Sequence, residues 1–178
     1  MSTTRNRRST RIAVVVIAAA AFAVAACAPD PGPTTGATLT AEDPTTDVVP
    51  GTVVTVTGQG YNPAGNIGTR PPIWGQPAGV YVVFACVTDP WRPSAGAGGA
   101  SRVIIEQFWA VPGSAQYDAI GGAAAGAILM DASGGFQVDV PLTYQECAGR
   151  YAILTYPGSG AVANPGEELE IPVTFAAA

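Results

Sequence analysis

Three cysteines carry most of the chemistry this chain can do. They stand at Cys27, Cys86 and Cys147. The chain has no histidine, and all eight of its basic residues are arginine. Ser–His, Cys–His and Ser–Lys nucleophile pairs are therefore excluded, as are Schiff bases on lysine. Zinc sites built on histidine are excluded too. What survives is thiol chemistry and carboxylate chemistry. Glu106, Asp118, Asp131, Asp139 and Glu146 are the candidates for a hydrolytic pair, which needs two acids about 5–9.5 Å apart. The same residue types serve equally well as solvated strand faces and turns. No spacing among them marks a catalytic or metal motif.

Cys27 differs from the other two by its surroundings. Arg5, Arg7, Arg8 and Arg11 lead in without an acid, and Ile12 to Ala26 follows without a charge. Fifteen residues are short of the roughly 20 needed to cross a bilayer, and they fit the apolar core of an export signal. The run ends Val24-Ala25-Ala26-Cys27. This leader resembles a bacterial lipoprotein signal. The resemblance implies cleavage before Cys27, a lipid such as diacylglycerol and palmitate on the Cys27 residue, and a mature chain held at the extracytoplasmic face of the cell membrane. Residues 1–26 would be the signal peptide. Residues 27–35 would be the lipidated cysteine and a proline-rich spacer that stretches to about 25 Å. Residues 36–178 would be one folded domain.

With Cys27 assigned to lipid, Cys86 and Cys147 remain. Outside the cytoplasm such a pair is expected to form a disulfide. The alternative is two free thiols in a soft metal site. The mature part carries four arginines, Arg70, Arg92, Arg102 and Arg150, against all thirteen acids. Its charge of −9 argues against nucleic acid as a partner. The abundance of Ala, Gly, Pro and Arg suits a GC-rich, actinobacterial source.

The elements that must position these residues read as β. Thr38–Ala41, Gly51–Gly58, Ala78–Val87, Arg102–Val111, Ala127–Asp131, Phe136–Leu142, Gly149–Tyr156 and Glu168–Phe175 have strand composition. The run AGVYVVFACV predicts a buried strand. Ala132-Ser-Gly-Gly135 predicts a hairpin turn between its flanking strands. Pro172 places the last strand at an edge or a bulge. Tyr117 to Leu129 is rich in alanine, but Gly121, Gly122 and Gly126 argue for a loop, or a turn at most, there. The expectation is an all-β, immunoglobulin-like β-sandwich of seven to eight strands with one disulfide.

Gly51 to Tyr61, GTVVTVTGQGY, resembles the second strand of actinobacterial immunoglobulin-like secreted domains, including the enediyne-antibiotic apoproteins. The block from Cys147 to Gly160 resembles a segment of corynebacterial surface proteins, some of which carry separate haem-uptake domains. The enediyne family uses two short-range disulfides where this chain offers one long-range pair. The resemblance implies the fold and an envelope location, and no ligand residue.

Two long loops, Asn62–Pro77 and Asp89–Ser101, each combine glycine and proline with an arginine and a tryptophan. Arg70 with Trp74, and Arg92 with Trp91, are the candidate binding residues, since Trp and Arg dominate binding hot spots. On that reading, alanine at Trp74 or Trp91 weakens capture of a partner and leaves the melting temperature unchanged. On the other reading both tryptophans are lids on the sandwich. The function expected is a non-enzymatic cell-envelope binding or structural module whose partner is an envelope protein, a wall polymer or a small ligand. One alternative is a carrier of a small apolar ligand, with Trp74, Trp91, Phe108 and Trp109 lining its pocket. Haem is one version, ligated by a tyrosine. A carboxylate-dependent glycan hydrolase is the other.

Overall fold

The computed structural model describes residues 36–177. The leader and Cys27 lie outside them. The strands are β1 (Thr38–Ala41), β2 (Val53–Gln59), β3 (Val80–Val87), β4 (Arg102–Val111), β5 (Ala127–Leu129), β6 (Phe136–Pro141), β7 (Arg150–Pro157) and β8 (Glu170–Val173). They form a three-stranded sheet, β1-β2-β6, and a five-stranded sheet, β5-β4-β3-β7-β8.

Alternation builds the core between the sheets. Val54, Val56, Phe136, Val138 and Val140 point inward from one sheet. Val80, Val82, Phe84 and Ile153 meet them from the other. The intervening residues of β3 are dry as well. Val83, Ala85 and Val87 lie on the outer face of the five-stranded sheet under Trp91, with Ala152 and Leu154 of β7. A strand covered on both faces has no use for polar positions, which is why AGVYVVFACV is a continuous apolar run. A second outer cluster joins Ile73, Ala78, Trp109 and Val111 to Tyr117 and Ile120. The sandwich thus carries a partial third layer, built from its long loops and a short helix.

That helix, α1 (Ser114–Ile120), corrects the expectation of a loop or at most a turn from Tyr117 onward. A 3-10 turn over Gly122–Ala125 follows it. Topology demands the crossover: β5 runs parallel to β4, and a parallel neighbour needs a connection of about a dozen residues. Gly121 and Gly126 do not interrupt the helical segments but end them, with φ of 112° and 76°. The hairpin between β5 and β6 is also corrected. The tight turn exists, with Asp131 N–H donating to Gly135 O at 2.8 Å. Its two arms enter different sheets, because β5 is already paired with β4 and β6 pairs with β2. Pro172 lies on β8, which is an edge strand as expected.

Cys86 and Cys147 are bonded, with Cα atoms 5.6 Å apart. The bond does not cross the sandwich. It ties the β6–β7 connection to β3, the neighbour of β7 in the same sheet. Close by, the Tyr151 hydroxyl at the start of β7 donates to the Gln145 carbonyl. This contact resembles a tyrosine corner, in which a tyrosine near the start of a late strand hydrogen-bonds back to the connection before it.

Candidate functional site

The two long loops leave opposite ends of β3, yet both are fastened to consecutive residues ahead of β8. Asn62 N–H donates to Glu167 Oε1 at 2.8 Å, and the Asn66 amide donates to Glu167 Oε2. Ser94 donates to the Glu168 carboxylate through its N–H, at 3.0 Å, and through its hydroxyl. Arg92 Nε donates to the Glu168 carbonyl at 3.1 Å. Glu167 and Glu168 are buried, and a buried carboxylate is tolerable only when donors converge on it. These acids are latches for the loop layer.

Trp91 and Arg92 belong to that layer. Trp91 is 1% exposed and covers the outer face of the five-stranded sheet. Its Nε1–H donates to Glu170 Oε2 at 2.7 Å. The Arg92 guanidinium lies 4.7 Å from the ring centroid, within cation–π range. Arg102 donates to the Trp91 carbonyl, and Arg150 bridges Asp89 and Glu170. The expectation that alanine at Trp91 leaves stability unchanged is corrected: this tryptophan is a packed lid.

Trp74 and Arg70 are placed differently. Ile73, wholly buried, anchors the loop beneath them. Thr69 N–H donates to Ser159 O at 2.9 Å, and Ser159 Oγ–H donates to Arg70 O at 2.7 Å, so the loop is stitched to the β7–β8 turn. Trp74 follows Ile73 outward and is 72% exposed, ahead of Gly75 at φ 71°. Arg70 is exposed and makes no ion pair among the described residues. Ile67 and Val162, on the same pair of stitched loops, are 49% and 83% exposed. The structure therefore separates the two candidate pairs. It leaves one as an exposed apolar tip with a single cation.

The other candidates have local partners. Trp109 packs on Tyr81 with ring centroids 4.9 Å apart and donates to Ala78 O at 2.6 Å. Asp131 Oδ1 accepts from Ser133 N–H and Gly135 N–H in its turn, which holds its carboxyl below the usual range, chiefly through Ser133. Asp139 accepts from Thr55, and Glu106 from Thr143. Asp118 lies exposed on α1 and Glu146 exposed on the β6–β7 connection. An open groove of about 1000 Å³ runs past Gly58, Pro112, Leu129 and Phe136. Among the described residues no cluster of three His, Cys, Asp or Glu side chains is placed to hold a metal.

Beneath the loop end, the Tyr61 hydroxyl and Thr155 Oγ1 are 2.9 Å apart, and Thr155 donates to Glu167 O. Burial pushes the Tyr61 phenol well above its ordinary value of 10.0. A raised folded-state value means the folded chain keeps a proton that the unfolded chain releases. Its contribution is whole below about pH 10 and is lost as pH climbs past that value. The melting temperature should therefore fall more steeply above about pH 10 in the wild type than in Tyr61→Phe. Parallel alkaline slopes in the two proteins would contradict it.

No protein-family model, no curated protein and no solved structure matches this chain.

Proposed function

We propose that this protein is a lipid-anchored module of the cell envelope, non-enzymatic, which works by contact through the end of the sandwich bearing Trp74 and Arg70. The observation that carries the reading is the division of the three thiols. Cys86 and Cys147 are joined to each other, which leaves Cys27 as the one cysteine outside the pair, at the end of a leader built like a lipoprotein signal. Around it the leader supplies the basic start, the apolar run and the small residues that processing needs. An exposed tryptophan beside an unpaired arginine is the composition of a contact surface, not of a solvated loop.

The carrier alternative draws less support. Trp91 and Trp109 spend their faces on the protein's own packing, so an interior pocket lined by them has no room. The hydrolase alternative draws less as well, because Asp131, Asp139 and Glu106 are engaged in turns and cross-strand bonds.

Cys27→Ala tests the reading. The variant should move from the membrane fraction to the soluble extracytoplasmic fraction, since one processed cysteine carries the acyl chains. A Cys27→Ala chain that stays membrane-bound as wild type does would sink it.

A further inference from the structure

We infer that the Trp74 end of the sandwich docks on the surface of the same bilayer that holds the anchor. This rests on the lipid-anchor reading above and names the partner of that surface. The polarity of the fold is the first observation. Thr38, the first residue of β1, pairs with Gln59, the last of β2. The chain therefore enters the sandwich at the end where the β2–β3 and β7–β8 connections lie, which is the end of Ile67, Arg70, Trp74 and Val162. The eleven residue steps from Cys27 to Thr38 reach at most about 40 Å. A lipid on Cys27 holds this end near the bilayer. To bring the far end down, the tether would have to lie nearly straight along the length of the sandwich.

The make-up of the tip is the second observation. At the far end Asp43, Asp47, Asp89 and Glu146 are exposed, while Arg102 and Arg150 open β4 and β7 there and Arg150 pairs with Asp89. Its exposed Val49 and Tyr144 sit on the same connections as Asp47 and Glu146. The near end has Arg70 at its tip, and Asp118 on α1 and Asp131 on the β5–β6 turn are exposed at the same end. An arginine beside a tryptophan, flanked by exposed Ile67 and Val162, matches the headgroup region. There an indole sits at the apolar boundary and a guanidinium reaches lipid phosphate.

Tryptophan fluorescence reads the proposal directly, because Trp91 and Trp109 are 1% and 8% exposed while Trp74 is 72% exposed. The protein extracted from membranes is reconstituted into phosphatidylcholine–phosphatidylglycerol vesicles whose acyl chains carry bromine near the headgroup. Emission should fall by the share that Trp74 contributes, and acrylamide should lose its access to that share. Trp74→Phe should abolish the bromolipid effect, and Arg70→Glu should reduce it. Wild-type protein that floats with the vesicles, yet shows no bromolipid quenching and stays open to acrylamide, overturns the docking alone. That result would leave Trp74 facing a protein or polymer instead. A chain that fails to float overturns the anchor reading, and the docking falls with it.

Discussion

Trp91→Ala is expected to lower unfolding stability by about 3–5 kcal/mol, the range for deleting a large buried aromatic. The indole seals Val83, Ala85 and Leu154 on the outer face of the larger sheet. Its removal opens that face to water over the centre of β3. It also deprives Glu170 of the Nε1–H donor and Arg92 of its stacking surface. Trp74→Ala should stay within about 0.5 kcal/mol of wild type, as substitutions at exposed positions do. Chemical unfolding of the two variants side by side gives the comparison. Equal, small effects would mean that the loop layer is not part of the folded core.

Breaking the Cys86–Cys147 bond is expected to cost about 2–5 kcal/mol. The bond joins cysteines 61 positions apart in sequence and so restricts the unfolded ensemble. It also holds the β6–β7 connection, whose other fastening is the Tyr151 hydroxyl on Gln145. Cys86→Ser with Cys147→Ser should therefore shift the unfolding midpoint down, and reductant should shift the wild type by the same amount. The domain should still fold, since the core between the sheets is drawn from both and does not depend on the bond. An unchanged midpoint in both experiments would contradict the structural role given to the pair.

The residues that declared themselves in the sequence are those whose role is local. β3 was legible because a strand buried on both faces is apolar throughout, and β8 because Pro172 cannot donate to a central ladder. The helix α1 was not. Gly121 and Gly126 read as breakers when their place is at the ends of turns, at positive φ, where only the backbone of the folded chain shows that they stop a helix. The β5–β6 hairpin failed for a related reason. A turn motif fixes a reversal of direction, whereas the sheet each arm joins depends on partners far along the chain. The latches were the least legible. Glu167 and Glu168 look like surface acids, and their partners Asn62 and Ser94 stand 105 and 74 residues away. Nothing in the spacing of Trp91 distinguished it from Trp74. Both lie beside an arginine on a Gly/Pro loop, and only the packing of the loop layer tells the lid from the tip.

The account turns on Cys27, and the mass of the intact protein extracted from membranes tests it most directly. The predicted species begins at Cys27, lacks residues 1–26 and carries the added mass of a diacylglycerol on that residue, with Cys86 and Cys147 together two hydrogen atoms lighter than free thiols. A membrane-extracted chain that retains residues 1–26, or that begins elsewhere without lipid, would contradict the anchor, and with it the membrane-facing role of Trp74 and Arg70.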